Sequence, residues 1–379
     1  MKLFWMELKK IFAWPVILLV VILNLLLYLL LIEFELEYFP NGRPAKDDFQ
    51  VETEMIDRYG EVIDEDEFAD FIGTYDERVK DANEFLQTNE LAIKAGVDSY
   101  EEFRNTDIDD MAAEEMHSHI MFELEEDLFW ELQARESIIE RYESRVMGLE
   151  FLIRYQSNSK QEKERIREML QNRKFQYYSE LVLRNFENYS SQGVVIILLS
   201  IAIVLSPIYI RDKVRDIVPL QYTSKKGRGI FHLKWRAGLT SIGILLAIHL
   251  LIYGGLYLTN DTAHYFFMHV YSMSNNPVWY DITFGEFILL TIVAIIILGY
   301  VFGILTIACS ALVANYLTQI STQILLFCAF AFVMIPVGVQ RIIETRYLPW
   351  VVPTIYISLI LFVCLTDRFV KKRELVKDI

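Results

Sequence analysis

The sequence has only three cysteines, Cys309, Cys328 and Cys364, and each lies inside an apolar run. The charged part of the chain has none, which excludes a disulfide framework there and leaves the three thiols to be read as small buried hydrophobes. No Gly-x-x-x-x-Gly-Lys-Ser/Thr phosphate loop occurs. The nearest tract, Lys225-Lys226-Gly227-Arg228-Gly229, lacks the spacing, so nucleotide energy would have to come from another chain. The apolar runs also lack a Gly-x-Ser-x-Gly, a His-Glu-x-x-His and any carboxylate pair. His249 is their one imidazole, and Ser241, eight residues earlier, lies too far along a helix to form a dyad with it. Catalysis, a bound cofactor, a metal site and a nucleic-acid partner are therefore not expected of this chain.

Apolar character is abundant. Hydrophobic residues make up 53% of the 379, above the usual share in a water-soluble domain, yet the net charge is -15. The two facts are reconciled by segregation. Residues 33–191 hold 41 acidic and 18 basic side chains, a net charge of -23, while the remainder is net positive and mostly apolar. Six runs read as membrane-crossing helices: 11–32, 193–210, 239–258, 287–313, 320–337 and 350–365, the first of them long enough by itself to cross a hydrocarbon core of about 30 Å. The first could be a signal peptide, but it exceeds the usual apolar core and ends in Glu33-Phe34-Glu35 rather than small residues.

Basic residues near the run ends set the direction. Lys2, Lys9 and Lys10 precede the first run, Arg211 to Arg236 lie between the second and third, and Arg368 to Lys377 follow the last. With six spans all three sets fall on one side, and residues 259–285 on the other contain no Lys or Arg. The expectation is an all-α integral membrane protein. Residues 1–32 form an amphipathic segment and the first transmembrane helix; 33–191 form a large, acidic, helical, coiled-coil-like extracytoplasmic domain; 192–379 carry five further transmembrane helices, a basic cytoplasmic loop at 211–236 and a cytoplasmic tail. Arg341 and Arg346, in the last outer loop, dissent.

Within 33–191 an apolar seam steps by fours and threes through Leu128, Leu132, Arg135, Ile139, Tyr142, Val146, Leu149 and Ile153, a heptad pattern with one polar interruption. The spacing predicts a helical hairpin, broken at Ser157-Asn158-Ser159, whose second arm runs into the second span. Arg135 could fix the register of a helix pair, but an exposed guanidinium on a packed aliphatic stem is the blander reading. The runs Asp64-Glu65-Asp66-Glu67 and Asp107 to Asp110 lack calcium-loop spacing and read as solvated faces. His117 and His119 point apart on a helix, and His264 and His269, among Tyr265, Phe266, Phe267 and Tyr271, read as an interfacial aromatic belt. In the spans, Gly299 and Gly303 form a Gly-x-x-x-Gly pair that permits close helix contact, within the chain or between copies, and Ser310 continues a small-residue run.

The order of these features resembles the permease subunits of the ABC-2 type exporter family. The resemblance rests on an amphipathic opening with Glu7, Lys9 and Lys10, a large insert after the first span, and the loop after the second. In that loop Asp212, Ile217-Val218-Pro219-Leu220, Thr223-Ser224, Lys225-Lys226-Gly227-Arg228 and Lys234 follow in the family's order, although Asp212 stands where glutamate is commoner. The Gly303 to Asn315 tract is a second match. The family implies two membrane subunits, identical or related, in a bacterial plasma membrane. Each docks on a cytoplasmic ABC ATPase that holds the ATP and Mg, and the opening segment and the loop form the coupling surface. Export of an amphipathic or hydrophobic peptide, antibiotic or lipid is the implied activity. The alternative is a non-transporting membrane receptor or scaffold whose outer domain binds a partner.

Overall fold

The computed structural model describes residues 2–106, 110–124, 127–157 and 159–376. Asp107 and Asp109 of the second acidic run, Asn158 of the expected break and Lys377 of the tail lie outside the described residues. Among the described residues the structure is helical, with one isolated antiparallel bridge between His269 and Thr283. Two compact units form: one holds the residues up to Tyr38, Arg184–Ala263 and the chain from Gly285 on, the other Phe39–Leu183 and His264–Phe284.

The first unit contains α1 (Lys2–Ile11), α2 (Trp14–Leu27) and α3 (Glu33–Glu37). A later group comprises α11 (Leu181–Leu205), α12 (Pro207–Val214), α13 (Val218–Thr223), α14 (Gly229–Tyr257), α15 (Phe284–Leu312), α16 (Tyr316–Ala329) and α17 (Val351–Val376). Six helical stretches here are long and apolar enough to cross a membrane: Trp14–Glu37, Leu181–Val214, Gly229–Asn260, Phe284–Leu312, Tyr316–Gln340 and Val351–Val376. They coincide with the six runs read from sequence but extend beyond several of them. The second starts earlier because Asn185 gives its first turns a polar face, donating to the Glu35 main-chain oxygen at 2.8 Å and to its carboxylate at 3.1 Å.

Leu198, Ile201 and Leu205 of α11, Ile242 and Leu246 of α14, and Leu298 and Phe302 of α15 make the centre of this unit. Gly299 and Gly303 face that centre. A Cβ at Gly303 would stand 2.5 Å from Ile242 Cδ1, and one at Gly299 2.7 Å from Leu246 Cδ2, so the pair serves close packing of α15 on α14 within the chain. Of the cysteines, Cys309 and Cys328 are half-buried, but Cys364 is exposed on α17, contrary to the expectation of three buried thiols.

The second unit contains α4 (Ala45–Tyr59), α5 (Glu65–Thr88), α6 (Glu90–Ala95), α7 (Tyr100–Arg104), α8 (Met111–Ser118), α9 (Leu128–Phe151) and α10 (Lys160–Gln171). Leu86, Met116, Phe129 and Leu132 are fully buried in one of its clusters. The Asp64 to Glu67 run has a local use: Asp64 caps α5, accepting from the Glu67 amide at 2.8 Å while the Glu67 carboxylate accepts from the Asp64 amide at 3.0 Å.

Three expectations about this unit need correction. The seam on α9 buries Leu132, Tyr142 and Leu149 but leaves Val146 exposed, and α9 is packed by α4 and α5 as well as α10, so a two-armed hairpin understates it. Arg135 is 3% exposed, bonded to Glu131 and Glu54 at 2.8 Å each, because α4 covers the position where water was expected. The second arm does not run on as one helix: α10 ends at Gln171, Arg173 takes a left-handed φ of 56°, and the Tyr177 and Tyr178 amides both donate to Ser272 O at 2.9 Å.

The 264–284 segment is likewise built into the unit. His264 meets Asp57 at 2.9 Å, His269 meets Glu61 at 2.8 Å, and Tyr265 is buried against Phe49, while Phe267 remains exposed. His117 stacks on Phe103 and His119 bonds to Glu123 at 2.7 Å.

Candidate functional site

The loop between the second and third apolar stretches begins at a proline. Pro207 cannot carry α11 onward, since it lacks an N–H, and so it starts the separate α12. The Tyr209 and Ile210 amides in the opening turn of α12 donate to Ser310 Oγ at 3.1 and 3.2 Å, and the hydroxyl donates in turn to Ser206 O at 2.7 Å. One proton and two lone pairs are thus all used, and the predicted small-residue position becomes a cap supplied from α15.

Asp212, one turn further on, faces Lys234 of α14. The two form an ion pair whose side chains are 9% and 3% exposed. Gln221 of α13 closes the arrangement: its amide nitrogen donates to Asp212 Oδ2 at 2.6 Å and its oxygen accepts from Lys234 Nζ at 3.3 Å. Lys234 Nζ also lies 5.7 Å from the Tyr209 ring centre. A buried charge pair is costly unless further hydrogen bonds support it, and Gln221 supplies one to each partner. Two short helices, α12 and α13, are thereby tied to the start of the long α14.

Lys213 points the other way, to the end of α15, donating to Val313 O at 2.9 Å and Ser310 O at 3.2 Å as well as to Ala311 O. A lysine there answers the unpaired carbonyls and negative end of that helix. Between Lys213, Pro219, Tyr222, Leu312, Val370 and Arg373 lies a half-open cavity of about 480 Å³.

The loop tip behaves differently. Thr223, Ser224, Lys225 and Lys226 are exposed, with the two hydroxyls bonded only to local carbonyls at Leu220 and Gln221. Gly227 turns the chain back with φ of 52°, a conformation that disfavours a side chain. Arg228 then donates to Glu374 O at 3.0 Å and to Leu375 O, and the Tyr222 hydroxyl bonds to the Glu374 carboxylate.

Helix α1 packs on α14 through Leu8 and Ile11, with Glu7 buried beside them. Lys10 bonds to Glu7 at 2.7 Å and is close enough to act electrostatically on Asp212, while Lys9 is exposed. The structure therefore gathers Glu7, Lys10, Asp212 and Lys234 and leaves Thr223 to Lys226 outside the cluster. Gln221 belongs to it but escapes the sequence reading, as do the bonds of Lys213 to the end of α15 and of Tyr222 to Glu374; a glutamine directly after the apolar Ile217 to Leu220 stretch was the available signal.

A second polar cluster joins three spans. Asn24 of α2 donates to Ser200 Oγ on α11 at 2.9 Å and to Val20 O at 2.8 Å. His249 Nε2 on α14 lies 3.0 Å from Asn24 Oδ1 and 3.2 Å from Ser200 Oγ, with Nδ1 2.7 Å from Leu245 O. Ser241 bonds to Ala237 O instead, in keeping with its separation from His249.

No family model, curated protein or solved structure matches the chain.

Proposed function

We propose that this chain is the membrane subunit of an ATP-driven exporter of the ABC-2 type, energised by a separate cytoplasmic ATPase. The observation that carries the reading is the Asp212–Gln221–Lys234 cluster. It joins the two ends of a basic loop to the start of a long apolar helix, with α1 packed on that same helix. A push on the exposed Thr223 to Lys226 tip would reach α14 as a rigid displacement, because packed, hydrogen-bonded elements shift as units rather than deform. The exposed lysines at the tip suit an acidic rim on the ATPase.

The distribution of Lys and Arg supports cytoplasmic termini, a cytoplasmic loop and an outward 33–191 domain. A second permease subunit, identical or related, completes the assembly in the lipid bilayer, and the aromatic-rich spans suit an amphipathic or hydrophobic cargo. Affinity purification of the full chain from its native membranes tests this. An ATPase bearing a phosphate loop should accompany the wild type; a preparation active in no ATP hydrolysis and free of such a partner ends the proposal.

A further inference from the structure

The 33–191 stretch carries a net charge of -23, so a concave surface there without carboxylates is informative. A half-open cavity of about 340 Å³ lies between α9 and the segments near Lys174 and Asn275. Among the described residues no Asp or Glu lines it, whereas Arg141, Arg145 and Lys174 do. Arg141 is matched by Glu52 at 2.8 Å and Lys174 by Asp281 at 2.6 Å. Arg145 has no carboxylate partner among the described residues. Its guanidinium lies 3.7 Å from the Tyr142 ring centre and 5.6 Å from that of Phe175, and it donates to Tyr142 O.

Cation–π contact with two rings steadies the guanidinium, and one main-chain acceptor engages only part of its five-donor fork. The lining also carries the apolar side chains Leu149, Leu152 and Met169. The volume is at the small end of the range of about 300–1,000 Å³ for ligand pockets. We infer that this cavity binds the carboxylate end of a small amphipathic molecule, with Arg145 holding the carboxylate and Leu149, Leu152 and Met169 covering the apolar chain. A free peptide C-terminus and a short fatty acid share that chemistry.

Isothermal titration on the full chain in lipid nanodiscs tests it with three probes: N-acetyl-leucyl-leucine, its C-terminal amide, and octanoate. The free acid should bind at least about tenfold more tightly than the amide. Arg145→Gln should make acid and amide equal. Gly148→Leu should abolish binding without lowering the unfolding temperature, because a Cβ at Gly148 meets nothing within 4 Å and the side chain can enter the cavity. Displacement of the peptide by octanoate supports a fatty-acid source; failure to displace it supports a peptide end. Equal binding of acid and amide to the wild type, no binding of either acid, or full affinity in both variants overturns the inference.

Discussion

Lys234 and Asp212, twenty-two positions apart, form an ion pair that is almost fully removed from solvent, and Gln221 bonds to both. Removing one partner leaves the other charged and buried, which typically costs about 3–5 kcal/mol, whereas removing both charges leaves no orphan. Asp212→Asn and Lys234→Met should each lower the unfolding temperature of the detergent-solubilised chain sharply. The double variant should be more stable than either single one, and thermal unfolding followed by helical circular dichroism reads the difference.

Close contact of α15 with α14 depends on Gly303. Gly303→Ala pushes a methyl group against the Ile242 side chain and should destabilise by about 1–3 kcal/mol. Ile242→Val, which removes the Cδ1 that would clash, should restore part of the loss. A Gly303→Ala chain that instead loses only self-association, with its unfolding unchanged, would place the glycine at a contact between copies.

The Asn24, Ser200 and His249 cluster joins α2, α11 and α14. Hydrogen bonds between membrane helices average about 0.6 kcal/mol and reach about 1.7. Asn24→Leu should therefore weaken the folded chain by no more than about 2 kcal/mol, measured by unfolding in mixed micelles. A much larger loss would mean that the cluster does more than hold helices together.

Two carboxyls in the second unit give opposite pH effects. Burial, then the neighbouring Glu52, push Asp48 up to about 6 against the partial relief offered by Arg141. Its folded pKa exceeds its unfolded value, so the unfolded chain releases this proton first, and stability contributed at this site falls as pH rises from about 4 to about 6. Burial also acts to raise Asp281, but hydrogen bonds from Lys174 and Arg165 outweigh it and hold that carboxyl below its usual range. Its contribution is present above the ordinary carboxylate pKa and is lost as pH falls through the lowered value. Asp48→Asn should accordingly raise the unfolding midpoint above pH 6 relative to wild type, and Asp281→Asn should lower it at neutral pH but not in strong acid. Unfolding midpoints from about pH 2 to about pH 8 check both signs.

The six apolar stretches are legible in the sequence because a helix that crosses a bilayer needs an unbroken run of apolar residues, and such runs stand out whatever they pack against. Asp212, Lys234 and Ser310 are legible for a related reason: polar side chains beside apolar runs need partners. Which partner each finds is not legible, since Gln221 reaches Asp212 only through the turn that follows α12. Arg135 and Asp64 show the same limit in the second unit. A heptad seam gives the face that α9 buries, but not that α4 lies over it and brings Glu54 to the guanidinium. The break after Gln171 is equally hidden, because the Tyr177 and Tyr178 amides are satisfied by Ser272, about a hundred residues away.

The exposed lysines of the loop tip allow the most direct test of the proposed coupling. Lys225→Ala/Lys226→Ala removes two side chains that carry no ion pair among the described residues, so the fold should persist with an unchanged unfolding temperature. In nanodiscs with its co-purified ATPase, the wild-type chain should alter the rate of ATP hydrolysis, and the double variant should lose that effect. An ATPase whose rate is the same with wild-type chain, variant chain or neither would contradict the account.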